Sequence, residues 1–350
     1  KKSLAVSYRD PRCVRYDRSG SHPQSDAGDG SVTHPAAPQV PSTNQLNLFA
    51  DTLARAAQKV AEDEKTIGVE FPYVTRSDGA WATLPASVSA GYRGDTWSHG
   101  NWFCGFWVGL LLASYLKTGE QRYLDWARER MRLVAQRADD PNTHDIGFIF
   151  DSSAIPAYHI TSERWFADVA LRAADKLRAR TITTTGGAYL ASWGPLTDLR
   201  GRTSSAIDTM ANLSLLYWAA DYVQDASFRL VADAHAAKTR LGFIRPDHST
   251  YHAVEYAERS GERVRGYTFQ GYSDESTWSR GQAWAIYGYV KSAYGTGNRD
   301  YLWLAEHLAD YYLKRCAGTL IPPWDFDDIK ASDAPRDSSA AAIVASSLLD

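Results

Sequence analysis

Tyr272-Ser-Asp-Glu-Ser-Thr-Trp-Ser-Arg-Gly-Gln-Ala-Trp-Ala-Ile-Tyr-Gly288 is the stretch on which the reading of the fold turns. Ser276 or Thr277 is a good N-cap, so a helix is expected to start beside Trp278. Along it Gly281, Ala285, Gly288 and Ser292 recur at i, i+4, i+7 and i+11, one face of small side chains. Such a stripe lets another backbone approach closely, as in a ring of inner helices. Arg280, Trp284 and Tyr287 share a neighbouring face, with Trp278 and Gln282 beside them. Two Trp, an Arg and a Gln near a first turn suit a pocket that stacks a sugar ring and pairs with its carboxylate. The alternative is an aromatic interhelical core with a solvated Arg.

Outward from this helix the chain alternates two kinds of segment. Residues 102–116, 148–158, 205–222, 278–294 and 338–350 are apolar nearly all round and rich in small residues. Residues 120–137, 164–178, 226–240 and 299–316 are amphipathic with charged faces, as is 45–64, where Leu46, Phe49, Leu53, Ala56, Ala57 and Val60 share one side. A helix that is apolar all round has to be buried, and an amphipathic one can cover it from outside. Strict alternation of inner and outer helices describes an all-α double-layered toroid, the (α/α)6 barrel. Ten helices are counted where twelve would close the ring, so the last helical hairpin is expected to be missing. An open solenoid is the competing architecture, and the lack of a repeat of fixed period favours the closed ring. Residues 1–44 mix Pro, Ser, Gly, Asp and His and are expected to form a disordered lead to a C-terminally truncated domain over 45–350. Residues 68–100 are expected to be a long functional loop. Short strands are expected over 187–192 and 264–269.

Composition narrows the function. A net charge of -3 and a pI near 6.3 give no reason to expect nucleic acid or an anionic membrane. The 12 Trp and 20 Tyr suit carbohydrate clefts and also ordinary cores. Cys13, Cys104 and Cys316 are too few and too scattered for a disulfide framework or a zinc site. The longest apolar stretch, 103–116, is too short to span a bilayer. Neither a signal peptide nor a membrane segment is visible, which favours the cytoplasm, and the opening Lys marks a fragment or a processed product. No Walker loop, dinucleotide fingerprint, His-Glu-x-x-His or Gly-x-Ser-x-Gly occurs.

Two carboxylates sit at the entry ends of apolar helices, Asp145 in Thr143-His-Asp-Ile-Gly-Phe148 and Asp208 in Ser205-Ala-Ile-Asp-Thr-Met-Ala-Asn212. The bland reading of Asp145 is a helix N-cap. That of Asp208 is a side-chain bond to Asn212 one turn on. If both face one cavity, one pKa is pushed upward, which makes a general acid at neutral pH. His252 and Gln270 are loop residues of weak individual value, and Trp102 and Trp193 are either stacking platforms or core.

Five blocks then occur in one order: Asn101-Trp-Phe-Cys-Gly-Phe-Trp107, His144-Asp-Ile-Gly-Phe148, Ala206-Ile-Asp-Thr-Met-Ala-Asn-Leu213, Gly271 to Trp284, and Pro323-Trp-Asp-Phe326 followed by Pro335-Arg-Asp-Ser-Ser-Ala-Ala-Ala342. From about residue 45 to the end the sequence resembles the unsaturated glucuronyl hydrolases, glycoside hydrolase family 88. The resemblance implies an (α/α)6 barrel and an enzyme without metal or cofactor. Its partner is an oligosaccharide already cut by a polysaccharide lyase, carrying a 4,5-unsaturated uronic acid at its non-reducing end. It also implies Asp208 as general acid/base and Asp145 as a second essential carboxylate. His252, Gln270 and Arg280 then line the sugar site, and Trp102, Trp193, Trp278 and Trp284 are its aromatic platforms. Two departures stand out: Pro156, expected to kink or shorten an inner helix, and an ending at Asp350 inside an apolar helix that the family continues.

Competing readings are an unsaturated rhamnogalacturonyl hydrolase or a sugar epimerase of similar fold, and a truncated, non-catalytic sugar-binding protein. An epimerase is expected to use a His pair, where this sequence offers Asp with Trp and Arg.

Overall fold

Amphipathic and apolar helices pair off in a computed structural model of the chain, which describes residues 42–87, 101–316, 318–330 and 333–350. The chain divides into two units, residues 1–47 and 48–350. Of the first only 42–47 are described, so the expected disordered lead lies almost wholly outside the described residues. Everything below concerns the second unit, apart from the first residues of a helix that runs from one unit into the other.

The outer helices are α1 (Thr43–Glu64), α3 (Gln121–Val134, continued by a 3-10 turn, Ala135–Asp139), α6 (Arg164–Arg178), α9 (Ala226–Phe243) and α11 (Arg299–Arg315). The inner ones are α2 (Cys104–Thr118), α4 (Ile146–Asp151) with α5 (Ala154–Thr161), α8 (Thr209–Val223), α10 (Ser279–Thr296) and α12 (Ser338–Leu349). Each inner helix packs on the next, α2 on α4, α4 on α8, α8 on α10 and α10 on α12. This is the α/α toroid arrangement that the alternation predicts. A short helix, α7 (Leu199–Thr203), precedes α8 in the chain.

The small-residue stripe explains the close approach. A Cβ on Gly288 would fall within 2.6 Å of the Met210 carbonyl on α8. One on Gly147 of α4 would meet the Asn212 Oδ1 at 2.5 Å. Only hydrogen fits at these two crossings. Near the first outer helix, Glu64 accepts from Trp107 Nε1 at 2.7 Å and pairs with the buried Arg130 at 2.7 Å, tying α1, α2 and α3 together.

Three expectations need correction. The helix expected over 148–158 is broken in two at Ser152–Ser153, before Pro156. Proline sits in the first turn of α5, where its missing N–H has no carbonyl to lose. The loop expected over 68–100 contains a hairpin, β1 (Phe71–Thr75) and β2 (Trp81–Leu84), turned at Ser77-Asp-Gly79 with Gly79 at φ 82°. Asp-Gly between two β-rich runs was the available signal. Residues 88–100 lie outside those described. The helix expected from Ser205 starts later, because Ser204–Ala206 is itself a strand, β5.

Two more small sheets lie in the connections. β3 (Thr181–Thr184) pairs with β4 (Gly187–Leu190), and β5 pairs with β6 (Ala253–Tyr256), which pairs with β7 (Arg263–Tyr267), all antiparallel. β4 and β7 are the strands expected from sequence.

Candidate active site

Four inner helices begin with residues gathered at one end of the ring. Asp145, Asp208, Trp278 and Asp337 occupy the N-cap positions of α4, α8, α10 and α12. Of these only Asp337 caps its helix, its Oδ1 accepting the Ala340 N–H at 2.9 Å. The cap expected at Ser276 or Thr277 does not form. Ser276 donates to Asp325 at 2.7 Å and the Thr277 N–H donates to Asp327 at 2.8 Å, so the chain enters α10 extended. The helix starts at Ser279, whose N–H donates to the Trp324 carbonyl at 3.1 Å.

Asp145 has no cap bond, against its bland reading, because its carboxylate is engaged elsewhere. Oδ2 accepts from the Thr143 hydroxyl at 2.9 Å, and Oδ1 lies 3.0 Å from His144 Nε2. His144 Nδ1 lies 2.5 Å from the Thr209 hydroxyl, which is 2.9 Å from Ser192 Oγ, which accepts the Ala206 N–H at 2.6 Å. One direction satisfies every member: Ala206 donates to Ser192, Ser192 to Thr209, Thr209 to His144 and His144 to Asp145. The chain links three segments that are distant in sequence and fixes the imidazole against the carboxylate.

Asp208 contrasts with this. Its Oδ1 is buried and has no hydrogen-bond partner. The bond to Asn212 expected from sequence goes instead to the Asp208 backbone, with Asn212 Nδ2 donating to that carbonyl at 3.0 Å. Asn212 Oδ1 accepts the Phe148 N–H at 2.6 Å. Burial is the main reason that the Asp208 carboxyl is pushed up to about 6, and the nearby Asp145 adds to it; His144 and Arg280 oppose it. Two carboxyl groups in one cavity therefore differ sharply in hydrogen bonding.

Both line a cavity of about 1000 Å³. Trp102, Trp193, Trp278, Trp284, Gln270 and Arg280 line it with them. Trp284 lies 4.7 Å and Trp102 5.4 Å from the Phe148 ring, an aromatic cluster on one wall. Trp193 is held by Arg180, whose side chain donates to the carbonyls of Ala191 at 2.7 Å and Gly194 at 3.2 Å. Arg280 lies 4.7 Å over the Trp278 ring, pairs with Asp337 and reaches Gln270 Oε1 at 3.5 Å. His252 is the exception. It is buried behind the wall, packed 4.6 Å from Trp278 and 4.3 Å from Phe269, with Nδ1 2.9 Å from the Thr268 hydroxyl. Burial, helped by Arg280 and His144, pushes it down to about 3, so it is neutral. Gln282 also turns away from the cavity and bonds the carbonyls of His248 at 2.9 Å and Leu308 at 3.0 Å.

No family model matches the chain. Curated relatives do. An unsaturated glucuronyl hydrolase of Bacillus sp. (strain GL1) is 37% identical over 306 residues, 87% of this chain and 77% of that protein. An unsaturated chondroitin disaccharide hydrolase of Streptococcus agalactiae serotype III (strain NEM316) is 31% identical over 69% of this chain and 61% of its own length. The solved structure of the unsaturated glucuronyl hydrolase from Bacillus sp. GL1 superimposes with a TM-score of 0.75 at 34% identity, over 86% of this chain and 76% of that one. The chain belongs to the unsaturated glucuronyl hydrolases.

Unsaturated glucuronyl hydrolases are glycoside hydrolases that remove the unsaturated uronic acid from lyase products. Another solved member, with dGlcA-Glc-Rha-Glc, superimposes with a TM-score of 0.78 at 33% identity over 86% of this chain and 77% of that one. The geometry adds to this unsaturated glucuronyl hydrolase site several residues the sequence reading passed over. His144 joins Asp145 to the Thr209 network, and its only sequence signal is its place beside Asp145. Tyr73 and Val74 of the hairpin, and Ser339 and Ile343 of α12, line the cavity from segments far from either carboxylate in sequence. Among the described residues no group of three or more His, Cys, Asp or Glu is placed to hold a metal, and no helix is long and apolar enough to cross a membrane.

Proposed function

We propose that residues 45–350 of this chain remove the 4,5-unsaturated uronic acid from the non-reducing end of lyase-generated oligosaccharides by hydrating its enol-ether double bond, with Asp208 as acid and base. The observation that carries this reading is the Asp208 carboxyl, with an unpartnered, buried Oδ1 and a pKa near 6. A carboxylic acid that keeps its proton up to about pH 6, above the ordinary carboxylate range, and has no partner to give it to is poised to deliver it to a ligand.

The double bond of the substrate joins C4 to C5 and is conjugated to a carboxylate. Asp208 protonates C4, and positive charge develops at C5 and the ring oxygen. The resulting carboxylate takes a proton from water as its oxygen bonds C5, which restores the acid. The hemiketal so formed opens to a keto form, and the bond to the aglycone breaks. Asp145, held as an acceptor by Thr143 and His144, places negative charge beside the developing cation. Arg280 faces the uronate carboxylate, and Trp102, Trp193, Trp278 and Trp284 supply the stacking surface. This route differs from displacement by a nucleophile with a separate acid.

Loss of the ultraviolet absorbance of the conjugated enol-ether acid, on mixing the protein with a lyase-generated disaccharide, tests the reading. Turnover supports it; binding without absorbance loss leaves a sugar-binding protein instead.

A further inference from the structure

Arg280 is the one Lys or Arg lining the cavity among the described residues, and it is not free in its arrangement. Its Nη1 bonds Asp337 Oδ2, its guanidinium lies over the Trp278 ring, and its Nη2 faces Gln270 at 3.5 Å. Asp337 is 7% exposed and comes from α12, 57 residues further along the chain. Its two carboxylate oxygens do different things. Oδ1 caps α12 through the Ala340 N–H, and Oδ2 takes the arginine. Its own N–H donates to the Pro322 carbonyl at 3.0 Å, which anchors the backbone on the far side.

From this we infer that Asp337 is a positioning residue, holding one prong of the Arg280 fork so that the other is presented to the carboxylate of the substrate. The inference rests on the proposed function and deepens it. A partly exposed arginine otherwise samples many rotamers, and ordering it at the moment of binding weakens affinity. A guanidinium has two edges, so a resident carboxylate on one leaves the other for a ligand. Asp337 also couples α12 to the site: Ser339, Ala342 and Ile343, in the first turns after the cap, line the same cavity. Asp337 touches Arg280 and no reacting atom, so its loss acts on substrate binding more than on the chemical step.

The cap and the clamp are separable. Asp337→Ser keeps a good N-cap but is too short to reach Arg280. Asp337→Asn has one acceptor oxygen for two donors, so it keeps the cap or the guanidinium contact but not both. With a lyase-generated unsaturated disaccharide, Asp337→Ser is expected to raise KM about tenfold and change kcat by less than about threefold. Its melting temperature stays close to that of the wild type, and Asp337→Asn recovers only part of the KM. Arg280→Ala combined with Asp337→Ser is expected to be no worse than Arg280→Ala alone, as for two residues acting as a unit. An unchanged KM in Asp337→Ser, or losses that add in the double variant, overturns the inference. A wild type that binds the disaccharide without turnover defeats the functional reading alone. The same cycle is then read in calorimetric affinities, with additive losses again overturning the positioning role. A wild type that does not bind the disaccharide overturns both.

Discussion

Asn212 stands one helical turn after Asp208 yet leaves its carboxylate untouched, bonding instead the Asp208 carbonyl and the Phe148 N–H. The amide thus ties the start of α8 to the start of α4 without neutralising the acid between them. The carboxyl stays unsatisfied because the fold satisfies the backbone around it.

Asp208→Asn follows directly. The amide keeps the shape but has no acidic proton to give, and turnover is expected to fall by roughly 10²–10⁴-fold, the usual scale for losing general acid–base catalysis. Substrate binding stays near wild type. An initial-rate assay by absorbance loss checks this, and activity above a tenth of wild type removes Asp208 from the role.

The raised pKa fixes two pH dependences. Turnover needs protonated Asp208, so kcat/KM is expected to fall as pH rises through about 6. For stability, the folded value lies above the unfolded one of 3.8, so the folded state binds the extra proton. This contribution favours folding at low pH and is lost as pH rises from about 4 through about 6. Asp208→Asn removes the cost of ionising a buried group, so its melting temperature should exceed the wild type's at pH 7 and converge on it near pH 4. Parallel melting curves at both pH values would remove the burial argument.

Thr209→Val breaks the chain from Ser192 to His144 while keeping the volume nearly constant. His144 loses the bond that fixes its ring, and Asp145 loses an oriented donor. An effect on kcat of about tenfold with little change in KM is expected, the scale of losing one supporting hydrogen bond. Steady-state kinetics decide it, and an unchanged kcat shows that His144 is held by packing alone.

Gly288→Ala weighs helix propensity against packing. Alanine is better than glycine in a helix by up to about 1 kcal/mol. Its methyl would press on the Met210 backbone, which cannot move aside as a side chain can, and overpacking costs about 1–3 kcal/mol. The clash should win, lowering the denaturation midpoint in urea. A midpoint equal to or above wild type would mean that α8 and α10 separate freely.

The sequence by itself determined the layers of this protein and named eight of the residues that line its cavity, two Asp, four Trp, Gln270 and Arg280. Apolar and charged faces recur every 3.6 residues, a local property, so inner and outer helices were legible to within a few residues, as with 164–178. The small stripe of α10 was legible for the same reason, and the order of the blocks named the family. Only the tertiary structure decided what each polar side chain does. The bland reading of Asp145 is a cap, and it is an acceptor for His144; that of Asp208 is a bond to Asn212, and its Oδ1 is unpartnered; the resemblance put His252 in the sugar site, and it lies behind the wall. Ser276 looked like a cap and is tied to Asp325, 49 residues away in sequence. Arg280 meets Asp337 only because α12 packs on α10. Hydrogen bonds, burial and the pKa values that follow from them act through space, between segments that periodicity treats one at a time, and packing alone brings those segments together.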